Sequence, residues 1–508
     1  MLFNSYQFIF IYLPIVFCGF FLIARYGHVA ACIWLALASL FFYGWWNPSF
    51  VTLLLGSIIF NYFAGYILGF SRSKMKKFAL IAAVITNLLC LGFFKYVNFF
   101  IQSADLFGAN IEPLAILLPI GISFYTFTQI AFLVDAYRGI AREYNLLRYL
   151  LFVTWFPHLV AGPVLHHSQM MPQFSSAQTF KPNLESLSVG LTFFSIGLFK
   201  KVVLADQLAI FANPLFNLTA YDSAPMFIAA WAGSLCFALQ LYFDFSGYSD
   251  MAIGLSRLFN VRLPLNFNSP YKATNIIDFW GRWHMTLSNF LRDYLYIPLG
   301  GNRLGETRRK INLLVTMLLG GLWHGAGWTF VLWGLLHGLY LVVNHGWQKI
   351  SLGRYQAGNW LTRGVSAGLT FLLVVVAWVP FRSPDIATTL AIWKGMVGMH
   401  GVSLHPALNT LIPDSISSGI FYKGFMPELK INTFELVEWI AIGLFIVWFM
   451  PNTQQILSHY VELTSKAQPR RYLLSWRPTK TFGLTTGFLF STAILLFHKN
   501  SPFLYFQF

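Results

Sequence analysis

Charged side chains are scarce, only 10% of the 508 residues, against roughly 25% in an ordinary soluble domain. Acidic residues are the scarcest, 18 against 34 basic ones. That composition excludes a typical cytosolic enzyme. Cysteine is nearly absent as well: Cys18, Cys32, Cys90 and Cys236 all lie in apolar runs. There is no CxxC pair and no His at ligand spacing, so the cysteines read as small buried hydrophobes and no metal site is expected. The chain also lacks GxxxxGK[ST], HExxH and GxSxG, which argues against an ATP-driven pump, a zinc protease and an α/β-hydrolase. Alternating ten-residue strands of a barrel are missing, and so is the inverted repeat of many transporters.

What the sequence does have is apolar surface. Hydrophobic residues make up 56% and aromatics 18%, with 53 Phe and 17 Trp. No water-soluble shape of this size buries so much, and only helices satisfy their own backbone in lipid. The composition predicts an all-α polytopic membrane protein, a single integral-membrane domain over 1–508 with about 10–12 transmembrane helices at ~20 residues each. Apolar runs place the spans near 7–24, 29–46, 49–70, 78–100, 114–134, 146–165, 187–212, 225–245, 311–347 (broken), 365–381, 434–450 and 481–498. Residues 1–24 show no basic start and no small-residue cleavage site, which predicts a retained span.

The formal net charge of +16 would suggest nucleic acid in a soluble protein, but basic residues also collect in cytoplasmic loops and set orientation. A lipid bilayer, not a nucleic acid, is the expected partner. Four clusters agree: Arg72, Lys74, Lys76 and Lys77; Arg303, Arg308, Arg309 and Lys310; Lys349, Arg354 and Arg363; and Lys466, Arg470, Arg471, Arg477 and Lys480. With all four in the cytoplasm, Asp105, Glu112, the nearly uncharged 400–427 stretch and both termini fall outside. Residues 255–310 break the apolar pattern. They are too polar to span and too aromatic for an ordinary loop, which predicts re-entrant or interfacial helices lining a cavity.

Most of the twelve histidines stand at span ends or in loops (His28, His400, His405, His459, His498). His158, His284, His324, His337 and the border case His345 do not. His324 follows Lys310 by about 14 residues, which at helical rise is ~20 Å into a core ~30 Å thick. An ionisable group at that depth is a functional candidate. Glycines on both sides, Gly320 and Gly321 before and Gly325 and Gly327 after, let another backbone or a thin substrate approach. An imidazole, with an ordinary pKa of about 6.5, suits the deprotonation of a hydroxyl. The other reading is a histidine that joins two helices through a hydrogen bond. His337, in a second His-Gly pair, reads as packing.

His284 stands in Asp278-Phe279-Trp280-Gly281-Arg282-Trp283-His284, followed by Arg292 and Asp293. This mix suits either the wall of a pocket for an anionic ligand at the cytoplasmic interface or a snorkelling helix whose arginines face lipid heads. Asp244, near the end of an apolar span, is expected to pair with Arg282 or Arg292. Asp244 and Asp250 are not read as a glycosidase carboxylate pair, which needs a wide aqueous cleft.

With these residues in view, the sequence resembles the membrane-bound O-acyltransferases, in the branch holding the bacterial alginate O-acetylases and the D-alanyl transfer proteins of teichoic acid modification. The likeness is carried by Leu118-Pro119-Ile120-Gly121-Ile122-Ser123-Phe124-Tyr125, by Phe156-Pro157-His158-Leu159-Val160-Ala161-Gly162-Pro163-Val164, and by Tyr242-Phe243-Asp244-Phe245-Ser246-Gly247-Tyr248-Ser249-Asp250-Met251-Ala252. It continues from Phe279-Trp280 to Tyr294-Leu295, then through Leu299-Gly300-Gly301-Asn302-Arg303, Gly320-Gly321-Leu322-Trp323-His324-Gly325 and Phe503-Leu504-Tyr505-Phe506-Gln507-Phe508. Gly281 departs from the Trp-Arg-Arg-Trp-His of the alginate type and removes one contact to an anion.

The resemblance implies helices, some re-entrant or interfacial, around a central tunnel in the bacterial inner membrane. Its active-site histidine matches His324 and its second polar position His284. It further implies acetyl-CoA as the cytoplasmic acyl donor, no bound cofactor, and an acceptor outside. That acceptor is an envelope or secreted polysaccharide such as alginate, or an SGNH-hydrolase-like periplasmic acetyltransferase that completes the transfer. Catalysis is assigned to His324 and His284, and substrate contacts to Trp323, Asp244, Arg282, Trp283, Arg292 and Asp293. D-Alanyl transfer to teichoic acid by the same fold and a non-enzymatic polysaccharide exporter are the alternatives.

Overall fold

A computed structural model describes residues 1–70, 73–143, 145–160, 162–218, 224–350, 359–404, 406–408, 419–424, 426, 431–460, 474–497 and 503–504. Arg72, Ala161, Arg354, His405, Lys466, Arg470, Arg471, His498 and the last four residues of the terminal motif lie outside the described residues, as does much of the 400–427 stretch.

The described chain is almost entirely helical. Its strands are Val402–Ser403 and Ile420–Phe421, a two-residue parallel pair. Among the described residues five helices are long and apolar enough to cross a membrane: Ser49–Gly69, Met75–Asp105, Leu184–Asn217, Phe227–Leu258 and Trp360–Arg382. Phe8–Ile23 and His28–Gly44 are shorter apolar helices. Large apolar side chains stand exposed on them, among them Ile15, Leu37, Phe63, Leu89 and Leu369, as a lipid-facing surface requires. This is a multi-pass membrane protein.

Three of the expected spans are corrected. The 114–134 run becomes a helix only at Ile122–Arg138, because Pro119 cannot donate to a helical ladder and Gly121 enters it from a left-handed φ of 71°. The 146–165 run is two short helices, Leu146–Thr154 and Phe156–Leu159, divided where Trp155 turns to ψ 105° ahead of Pro157. The 225–245 run continues as one helix of 32 residues, Phe227–Leu258, so Asp244 and Asp250 are interior to it.

The chain forms two compact units. One comprises Met1–Phe199, Gly247–Asn266 and Leu457–Gln507. Its core is aromatic, with Phe8 against Phe42 and Phe156, and Trp155 against Phe259. The Leu184–Phe199 helix packs close to the backbone of residues 247–258: a Cβ on Gly190 would stand 2.8 Å from the Gly254 carbonyl oxygen. Small residues serve this purpose in membranes, where van der Waals packing replaces the hydrophobic drive. Asn61 and Asn87 exchange reciprocal side-chain hydrogen bonds of 3.0 and 2.7 Å.

The other unit comprises Lys200–Ser246 and Phe267–Ile456. The helices Glu306–His324 and Trp328–Ile350 lie side by side in it, joined through residues 325–327. Ahead of them the polar insertion folds as short pieces, Ile276–Trp280, Met285–Leu291 and a π-turn at Arg292–Tyr296. Its aromatic core is the setting of the two histidines.

Candidate active site

His324 is the last residue of the Glu306–His324 helix, and the extended Gly325 ends that helix. The chain then reverses and Trp328–Ile350 returns along it. The return is close because both faces are bare. A Cβ on Gly321 would fall on the Phe330 carbonyl oxygen and 3.2 Å from the Gly334 backbone, and one on Gly334 would fall on the Met317 carbonyl oxygen. The same fold-back brings Trp333 to His324, ring centres 5.0 Å apart and nearly perpendicular. Phe381, from the Trp360–Arg382 helix, closes on His324 at 5.3 Å.

His284 arrives by a different route. Asn275 caps the Ile276–Trp280 helix by accepting from the Asp278 N–H at 2.9 Å. That helix ends at Gly281, and His284 takes a left-handed φ of 42° as the N-cap of Met285–Leu291. His is among the residue types that enter this region more readily than most. The kink directs the imidazole inward, where Phe245 meets it edge-on at 4.7 Å. His284 is fully buried and His324 is 4% exposed.

The two imidazoles are 6.4 Å apart, centre to centre. Trp323 touches both, at 6.1 Å from His284 and 4.9 Å from His324. Two rings at that separation can both reach one atom held between them. The surrounding aromatic walls exclude water, which strengthens every polar interaction made there and suppresses hydrolysis.

The structure thus brings together His284, His324 and Trp323, with Trp283 packed on Phe245 and Phe267 behind them. The expected pairing of Asp244 with Arg282 or Arg292 is overturned. Asp244 accepts from Lys201 at 2.6 Å, and Lys201 also donates to Asp206 at 2.8 Å. Lys201 lies in a π-turn, Lys200–Ala205, and is 4% exposed. Arg282 instead meets Asp278, one helical turn earlier, at 2.7 Å, and Arg292, itself exposed, meets its half-buried neighbour Asp293 at 2.7 Å. Local partners cost less ordering entropy than distant ones, so both arginines are satisfied before they reach the span.

His158 donates a hydrogen bond of 2.9 Å from its Nε2 to the Phe152 carbonyl oxygen within the first unit and holds the local turn. His337 is fully buried among Phe279, Trp280, Trp333 and Trp378. Trp333, Phe381 and Lys201 were not singled out in the sequence, and Phe245 entered only as a member of the Tyr242–Ala252 motif, with no role given to it. Trp333 left a signal of its own: it precedes His337 by four residues and shares its helix face. Among the described residues no group of three or more His, Cys, Asp or Glu could hold a metal ion.

A sequence profile of the MBOAT, membrane-bound O-acyltransferase family, matches residues 42–376. The chain belongs to that family. It is an acyltransferase, and the buried histidine pair lies inside the matched region. This acyltransferase is 45% identical over 437 residues to a peptidoglycan O-acetyltransferase of Helicobacter pylori, with 80% of this chain and 81% of the relative covered. It is 41% identical over 406 residues to a probable alginate O-acetylase AlgI of Pseudomonas aeruginosa, covering 78% and 75%. A teichoic acid D-alanyltransferase of Streptococcus thermophilus is 26% identical over 309 residues, covering 56% and 74%.

Proposed function

We propose that this protein transfers an acetyl group from a cytoplasmic thioester, acetyl-CoA, to an acceptor hydroxyl on the outer side of a bacterial inner membrane, for O-acetylation of an envelope or secreted polysaccharide. The observation that carries this reading is the buried His284 and His324 pair, ring centres 6.4 Å apart, with His324 at the break between two closely packed helices. In this reading His324 takes the proton of the acceptor hydroxyl as the oxygen attacks the acyl carbon. The C–S bond breaks, and the proton passes to the leaving thiolate. His284 orients the donor or the base. The acceptor hydroxyl belongs to the polymer itself or to a periplasmic SGNH-hydrolase-like partner.

The O-acetyl relatives support acetyl over D-alanyl transfer, at 45% and 41% identity against 26%. The basic clusters support a cytoplasmic donor side. The test is His324→Ala in cells making the polymer and in purified membranes given radiolabelled acetyl-CoA. The expected result is a folded, inserted protein with polymer acetylation abolished. Unchanged acetyl content overturns the reading, and loss of secreted polymer with normal acetylation of what remains points to an exporter.

A further inference from the structure

Beside the histidine pair lies a second cluster that the proposed chemistry has not used. Trp280, Trp333 and His337 form a triangle: the Trp333 and His337 ring centres are 4.8 Å apart, Trp280 and His337 5.2 Å, and Trp280 and Trp333 5.8 Å. Trp333 and His337 are fully buried and Trp280 is 9% exposed. The indole N–H of Trp280, the indole N–H of Trp333 and both ring nitrogens of His337 are buried with no hydrogen-bond partner among the described residues.

Buried polar atoms in folded proteins are overwhelmingly paired, and each exception calls for a physical reason. Packing alone does not supply one here. Phe in place of any of these rings would fill similar space without a stranded polar atom. The chemistry of the set is lopsided. An indole only donates, and a neutral imidazole donates from one nitrogen and accepts at the other. The set therefore offers three donors and one acceptor, which complements an oxygen-rich, hydrogen-poor group. Trp333 links this cluster to the proposed base, since its ring also packs 5.0 Å from His324.

We propose that Trp280, Trp333 and His337 hold the carbonyl oxygen of the acyl group and stabilise its oxyanion while the acceptor oxygen adds. This rests on the reading of His324 as the site of acyl transfer. Addition of the hydroxyl oxygen to the acyl carbon moves the carbonyl π electrons onto that oxygen. Collapse of the adduct returns them and expels the thiolate, which receives the proton carried by His324. Fixed donors in a dry aromatic site act on the charge where it develops and need no reorganisation as it does so.

The experiment replaces Trp333, and separately Trp280, with 3-benzothienylalanine, which keeps the bicyclic shape and puts sulfur in place of N–H. Membranes holding the full chain are given acetyl-CoA, and release of the free thiol is followed alongside acetyl transfer. The expected result at Trp333 is a kcat lower by about a hundredfold, the scale of losing one oxyanion donor, with KM for acetyl-CoA and the thermal midpoint unchanged. His337→Gln, which restores an N–H donor, should recover part of the activity lost in His337→Leu. An unchanged kcat in both isosteres overturns the proposal, whatever KM does. Run in parallel, His324→Ala separates the two levels: lost turnover there with normal isosteres discards the donor set alone. Turnover that survives His324→Ala, or a wild-type chain that does not turn over acetyl-CoA, discards both.

Discussion

The imidazoles of His284 and His324 stand 6.4 Å apart, and the indole of Trp323 lies against both. One histidine is placed by a left-handed kink after a five-residue helix, the other by a glycine-bound helix end. Neither position is set by the other's element, so the two can be perturbed separately.

His284 occupies a left-handed φ of 42°, which Asn adopts readily and Ala does not. His284→Asn should keep the thermal midpoint near that of the wild type and lower transfer by about a hundredfold, the lower end for a lost acid–base or orienting group. His284→Ala should lose as much activity and also about 1 kcal/mol of stability, from the backbone alone. Thermal unfolding in detergent and acetyl transfer, measured on both variants, check this. Wild-type transfer in His284→Asn would remove His284 from the site.

Gly334 sets the distance between the helices that carry His324 and Trp333. A methyl group there would fall on the Met317 carbonyl oxygen and 3.1 Å from the Leu318 Cα, with no flexible side chain to give way. Gly334→Ala should cost about 1–3 kcal/mol through overpacking. It should also shift His324 off its aromatic contacts and lower kcat. Gly346→Ala, in the same helix and with nothing within 4 Å of its added Cβ, is the control and should be neutral in both measurements.

The spans were legible because lipid imposes a length rule on apolar runs, and runs such as 49–70 and 365–381 obey it. His324 was legible for a related reason, as an ionisable group deep in an apolar run. The failures are equally physical. Pro119 and Trp155 interrupt runs whose composition alone looks continuous. Lys201 and Asp244 meet only after a π-turn and the packing of two helices, which no local pattern encodes. Trp333 joins His324 only because the chain folds back over residues 325–327.

Acid should weaken the first unit through Glu143. Burial pushes its carboxyl up, but hydrogen bonds from His167 at 3.2 Å and from the Asn145 N–H at 3.0 Å, with Arg148 nearby, hold it below the usual carboxylate range overall. A depressed folded-state value stabilises the protein above the unfolded value of about 4.3, and that contribution disappears as pH falls through the folded value. The thermal midpoint of the wild type should therefore fall below about pH 4 more steeply than that of Glu143→Gln. Parallel slopes would show that Glu143 contributes nothing to acid sensitivity.

Lys201 and Asp244 carry a test of what ion pairs do at this depth. Both side chains are buried, 5% and 2% exposed, with Nζ and Oδ1 at 2.6 Å. Taking both charges out of water is expensive, so the intact pair adds little net stability, yet removing one partner strands the other. Lys201→Met leaves two carboxylates, Asp244 and Asp206, facing a thioether and should cost about 3 kcal/mol or more. Asp244→Leu leaves Lys201 its second partner, Asp206 at 2.8 Å, and should cost less. The double variant Lys201→Met/Asp244→Leu removes both charges of the deeply buried pair and should regain part of the loss, the remainder reflecting Asp206 without its Lys201 partner. The next residue, Phe245, packs edge-on to His284 at 4.7 Å, so activity should follow the same order as stability. A double variant that regains stability but not transfer would instead place Asp244 among the groups that contact substrate.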